Sequence, residues 1–94
     1  MFDRVLRRMR ELVRTSQYVM TLHGHEEMEA DGLGVFDVEH CILTGEIVER
    51  QRDAGTGEWK YLVEGTSLSG TRAIVVSRIA RTEKLVIITV YVTE

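Results

Sequence analysis

The chain has 94 residues, of which 44% are hydrophobic and 29% charged, a composition typical of one soluble globular domain that excludes an intrinsically disordered chain. No apolar run approaches the roughly 18 residues of a membrane span, and the basic start of the chain lacks the apolar core of a signal peptide. We therefore expect a cytoplasmic protein without a membrane partner, and the net charge of −3 argues against a general nucleic-acid binder.

The charge is distributed unevenly along the chain. Residues 1–16 carry five arginines and two acids, whereas residues 17–49 carry eight acids and neither lysine nor arginine. Such asymmetry indicates distinct faces for distinct partners. Two neighbouring solvated helices explain it equally well.

The first 15 residues predict an amphipathic helix. Apolar residues recur there at intervals of three and four, with the arginines largely on the other side. The apolar positions are Phe2, Val5, Leu6, Met9, Leu12 and Val13.

The rest of the chain predicts short helices followed by strands. We expect a strand over 18–22, helices over 24–30 and 35–43, and strands over 46–51, 59–64, 73–79 and 85–92. The last two strands are apolar on both faces, which is typical of a sheet covered on both sides. The N-terminal helix or a second subunit must then cover one face. The predicted fold is α+β, with helices followed by an antiparallel sheet of about four strands.

Two histidines mark the first strand-to-helix junction, at His23 and His25. Backbone N–H groups at a helix start favour an anion, and histidine exchanges protons near neutral pH. His23 is thus a candidate general acid or base. A structural role as a helix cap or turn residue is the alternative for both histidines.

An ordered set of short motifs around this junction resembles the family called domain of unknown function 4258. The set is Tyr18-Val19-Met20-Thr21-Leu22-His23-Gly24, Met28, Gly32-Leu33, Val38, Gly45-Glu46-Ile47-Val48 and Ile88-Thr89-Val90-Tyr91. That family resembles the RelE and MqsR type of small ribonuclease toxins. The resemblance implies a single domain over 1–94, with a RelE/MqsR-like part over 17–94 and an added helix over 1–16. This chain departs from the family at two positions. The family commonly has a basic residue where this chain has Asp31, and a serine at the start of the next helix where this chain has Gly34.

The resemblance implies a toxin-type RNA endonuclease that needs no metal and no cofactor. Such an enzyme requires proton transfer and cationic stabilisation of the transition state. His23 is the candidate for proton transfer, and Lys60 or Arg72 for stabilising charge. Tyr91 or Tyr61 is the candidate for donating a proton or stacking a base. Trp59 and Tyr61 share one face of their strand, opposite Lys60, and a core role is the alternative for both.

Two other readings stay open from the sequence. His23 and His25 with Glu26 or Glu29 would make a metal site only if the strand continued through both histidines, and neither CxxC nor HExxH is present. Alternatively, the domain is a non-catalytic binding module in a protein complex. The resemblance implies a cognate antitoxin, of the MqsA-like zinc-finger type, as partner. The N-terminal helix predicts a homo-oligomer. The lone Cys41 is expected to be buried and inert.

Overall fold

The computed structural model describes residues 1–93, which form three helices and five strands. In chain order these are α1 (Asp3–Arg14), β1 (Tyr18–Met20), α2 (Leu22–Ala30), α3 (Val35–Thr44), β2 (Glu46–Arg52), β3 (Trp59–Thr66), β4 (Arg72–Ile79) and β5 (Leu85–Val92). The predicted α+β class is confirmed. None of the helices in residues 1–93 is long and apolar enough to cross a membrane.

The five strands make one sheet in the order β1-β5-β4-β3-β2. Strands β2 to β5 form the predicted antiparallel meander, because each is joined to the next by a short connection. The prediction of about four antiparallel strands is wrong at one edge, where β1 pairs in parallel with β5. This pairing is possible because α2, α3 and the meander lie between the two strands in sequence, which supplies the long connection that parallel strands need.

All three helices contribute to one core on a single face of the sheet, which we call the helix face. Its buried members include Met9 and Leu12 of α1, Ile42 of α3, and Val63 and Ile87 of the sheet. The amphipathic pattern of α1 is thus used inside its own chain. Cys41 is buried in the same core, where burial raises the pKa of its thiol to about 11.

The opposite side of the sheet, the open face, also carries apolar side chains. Register and alternation assign to it Val19, Leu62, Ile74, Val76, Val86 and Tyr91. Val19 is 48% exposed and Tyr91 36%, whereas Leu62 and Val76 are buried, at 8% and 7%. Within the described residues α1 does not cover the open face, because it packs beside α3 on the helix face. Covering of the open face by a second subunit stays a prediction.

Close backbone contact fixes α3 against the sheet. A Cβ atom added at Gly65 would overlap the backbone of Cys41, and one added at Gly45 would overlap that of Glu64. The side chain of Arg10 donates to the carbonyl oxygens of Ile42 at 3.2 Å and Gly45 at 2.6 Å. An arginine of α1 therefore satisfies carbonyls at the end of α3, which joins the two helices.

Candidate functional site

The junction between β1 and α2 begins the helix two residues earlier than predicted. Thr21 is the N-cap, and its Oγ1 accepts from the Gly24 N–H at 3.0 Å. The same hydroxyl donates to the Ile88 carbonyl oxygen at 3.0 Å. His23 therefore lies in the first turn of α2 and not at the end of a strand, because threonine caps a helix start better than the residues after it.

Gly24 brings this first turn close to β5. A Cβ atom there would lie 3.1 Å from the Ile88 carbonyl oxygen and 3.3 Å from Thr21 Oγ1. The ladder between β4 and β5 has a bulge at this level, since Val76 pairs with Thr89 and Ser77 with Ile87, which leaves Ile88 without a partner. The glycine between the two histidines is therefore explained by contact between helix and strand.

His23 forms a pair with a carboxylate one helical turn further on. His23 Nε2 lies 3.2 Å from Glu27 Oε1, and the same oxygen accepts from the Val90 N–H at 3.3 Å. The His23 side chain is 69% exposed and that of Glu27 32%. Glu27 is thus fixed to the edge of β5 while its histidine partner is open to a ligand.

Acidic side chains of α2 continue along the β5 edge where β1 has ended. Asp31 Oδ2 accepts from the Val92 N–H at 3.1 Å, two residues beyond the Val90 contact of Glu27. Unpaired N–H groups at a sheet edge need such acceptors. Asp31, a departure from the family pattern, therefore stabilises the sheet edge in this chain.

Two of the other predicted residues, Tyr91 and Arg72, lie near each other on the open face. Tyr91 pairs with Ile74, two residues after Arg72. Arg72 Nη2 lies 3.3 Å from Glu64 Oε1 on the neighbouring strand, and the Arg72 side chain is 60% exposed. Both residues are accessible, and Arg72 is held toward β3 and away from the His23 pair.

Lys60 lies on the open face as well, but further along the sheet. Thr66 pairs with Arg72, and Lys60 is six residues before Thr66 on β3. At about 3.3 Å per residue this separation is roughly 20 Å. Lys60 and Arg72 of one chain therefore do not act on the same phosphate, and the four predicted residues do not form one cluster.

The position of the histidines argues against the metal site of His23 and His25 with Glu26 or Glu29, because both histidines lie on a helix and not on a strand. Residues two apart on a helix point to different sides, and His25 instead pairs with Glu29, at 3.4 Å. Residues 1–93 contain no group of three or more His, Cys, Asp or Glu side chains placed to hold a metal ion.

These elements define a small α+β domain with an exposed histidine–carboxylate pair at the parallel edge of its sheet. The family model called domain of unknown function (DUF4258) matches residues 20–92. The chain belongs to this family, as its motifs predicted, and α1 lies outside the match. No curated protein and no solved structure matches the chain.

Sequence reasoning missed Glu27 as the partner of His23. Their spacing of four residues was the available indication, but the predicted helix began at residue 24 and so left His23 outside it, whereas the observed helix begins at Leu22 and includes both residues. The contact between Glu27 and Val90 had no sequence indication, because 63 residues separate the two.

Proposed function

We propose that the protein is the toxin-type component of a toxin–antitoxin pair and a metal-independent RNA endonuclease of RelE/MqsR-like fold. The observation that supports the proposal best is the pair of His23 and Glu27 at the edge of β5. It combines a fixed carboxylate with an exposed imidazole, which is the arrangement that a general acid or base requires.

In the proposed reaction the 2′-hydroxyl of the RNA attacks the adjacent phosphate and the 5′-oxygen leaves. The products are a 2′,3′-cyclic phosphate and a 5′-hydroxyl. His23 Nε2 faces Glu27, so Nδ1 is free to exchange a proton with the substrate. The Glu27 carboxylate orients the ring, as a carboxylate partner of a catalytic histidine does.

Tyr91 and Arg72 are proposed to bind the RNA on the open face beside this pair. The phenol of Tyr91 offers a surface for stacking a base, and the Arg72 guanidinium offers charge to a phosphate. Arg72 must then exchange its contact with Glu64 for the phosphate. Lys60 is too far along the sheet to join this site, so we assign it no catalytic role within one chain.

The test is RNA cleavage in the presence of EDTA by wild type, His23→Ala and His25→Ala. The two variants are matched, because each removes a helical histidine–glutamate pair. We expect His23→Ala to lower the cleavage rate by about a hundredfold or more, and His25→Ala to leave it nearly unchanged. Products should end in a 2′,3′-cyclic phosphate. No cleavage by wild type would reject the endonuclease, and equal rates for the two variants would reject His23 as its proton-transfer residue.

A binding module of the same fold is the second candidate, and the apolar open face favours it. Val19, Ile74 and Tyr91 offer this face to a protein partner in the absence of a covering helix among the described residues. We propose a cognate antitoxin, of the MqsA-like zinc-finger type, as that partner. Val19→Glu should abolish co-purification with the product of the adjacent reading frame without changing the urea midpoint. Undiminished co-purification would exclude this face.

The homo-oligomer through α1 stays a prediction. The apolar residues that motivated it, such as Met9 and Leu12, pack inside their own chain. A dimer through α1 would therefore use its arginine side, and light scattering before and after deletion of residues 1–15 tests it.

A further inference from the structure

A pocket of about 320 Å³ lies between the first turn of α1 and the β3–β4 end of the sheet. Val5 and Ile79 form apolar walls, and Trp59 and Tyr61 form an aromatic wall. Glu58 and Arg81 place one carboxylate and one guanidinium at the rim. A cavity of this size, with planar walls and a few polar groups, is suited to a small planar ligand.

Arginines of the edge strand surround the aromatic wall. The guanidinium carbon of Arg50 lies 4.0 Å from the centroid of the Trp59 ring, and that of Arg52 lies 4.4 Å from it. Arg50 and Arg52 are two residues apart on β2, so both side chains lie on the helix face, next to Tyr61 and Trp59 of β3. Cation–π contact holds these charges beside the indole.

The charge around the pocket is positive although the chain as a whole is acidic. Glu58 is paired with Arg78, at 2.8 Å. Within residues 1–93 no carboxylate lies within ion-pair distance of Arg50, Arg52 or Arg81. The pocket therefore attracts a ligand that has both a flat ring and negative charge.

We infer that this pocket binds a nucleobase of single-stranded RNA, with neighbouring phosphates on Arg81, Arg50 and Arg52. Because the guanidiniums of Arg50 and Arg52 lie over the Trp59 ring, the base would contact the aromatic wall beside them. Aromatic side chains combined with arginine contacts are how proteins hold single strands without reading sequence. The choice of RNA as the polymer rests on the proposed function. The pocket is separate from the His23 site. Val63 of β3 and Val90 of β5 both pair with Val75 of β4, so they lie at the same level of the sheet as the contact of Glu27 with Val90. Trp59 is four residues from that level along β3 and two strands away from β5.

The experiment uses the intrinsic fluorescence of Trp59, because the chain contains one tryptophan. The probe is a six-nucleotide oligoadenylate, titrated into full-length His23→Ala protein so that cleavage cannot alter the probe. We expect saturable quenching, because a base that enters the pocket contacts the indole environment. A hairpin RNA in which every adenine is paired within the stem should quench far less, since its bases are already stacked and paired.

Arg81→Ala is the diagnostic variant and Arg14→Ala its matched control. Both arginines are exposed, and Arg14 lies nine residues from Val5 along α1, or about 14 Å at 1.5 Å per residue. Arg81→Ala should weaken binding about tenfold and lower the slope of log affinity against log salt by about one, the effect of losing one phosphate contact. Arg14→Ala should change neither quantity.

Three results would overturn the assignment. These are no saturable quenching by the hexamer, equal effects of Arg81→Ala and Arg14→Ala, and equal quenching by inorganic polyphosphate, which carries charge without a base. A urea titration of each variant ensures that the binding assays compare folded proteins. Saturable quenching of a wild type that does not cleave RNA would support the pocket and reject the endonuclease. Cleavage of RNA by a wild type whose fluorescence the hexamer does not quench would support the endonuclease and reject the pocket.

Discussion

Replacing Glu27 by alanine should destabilise the domain far more than replacing Glu29, although both glutamates pair with a histidine four residues earlier. Glu29 is 66% exposed, and its histidine pair is worth about 0.2–0.5 kcal/mol. Glu27 is 32% exposed and also accepts the Val90 N–H at 3.3 Å. A hydrogen bond to a charged group contributes about 1.5–3 kcal/mol, less here because water reaches the carboxylate.

We therefore expect Glu27→Ala to lower the free energy of unfolding by about 1–2 kcal/mol and Glu29→Ala by less than about 0.5 kcal/mol. Urea unfolding measures both values. In thermal unfolding, Glu27→Ala should lower Tm by about 4–16 °C, since 1 kcal/mol corresponds to about 4–8 °C in a domain of this size.

Hydrogen exchange at Val90 identifies the cause of the loss. Its amide should exchange faster in Glu27→Ala, whereas Glu27→Gln, which keeps an acceptor oxygen, should retain part of the protection. Equal stability of Glu27→Ala and Glu29→Ala, or unchanged exchange at Val90, would refute the reasoning that Glu27 fixes the edge of β5.

Three further predictions concern the core and the alkaline range. Gly65→Ala should lower the free energy of unfolding by about 1–3 kcal/mol, because its Cβ would meet backbone atoms of Cys41. Gly55→Ala, whose Cβ would meet only an exposed carboxylate oxygen at 3.3 Å, should change stability by less than about 1 kcal/mol in the same urea assay. Cys41 should resist alkylation at pH 8 in the native protein and react quickly in urea, because burial raises its pKa to about 11; rapid native labelling would contradict the packing. Burial and the Glu39 carboxylate raise the pKa of Tyr18 to about 12 from its ordinary 10.0, so the stability from the protonated phenol is complete below pH 10 and is lost as the pH rises toward 12. Tyr18→Phe should therefore be less stable than wild type at pH 9, with the difference shrinking above pH 10; a constant difference would be evidence against this linkage.

The sequence by itself determined the local elements. The spacing of apolar residues predicted α1, and alternation with turn residues predicted the two hairpins, because both patterns follow from backbone geometry over a few residues. The motif around His23 and Gly24 predicted the family, and the family match confirms it. The α+β class followed from the order of these elements.

Only the tertiary structure decided how distant segments meet. The parallel pairing of Tyr18 with Leu85 places β1 at the sheet edge, and no local pattern encodes that choice. The same edge leaves the Val90 N–H unpaired by any strand, so Glu27 becomes its acceptor and the partner of His23. Alternation placed Trp59 on one face of its strand, but the approach of α1 to that face is what makes the pocket. Long-range packing, which depends on the whole chain, therefore chose which of the predicted side chains lie together.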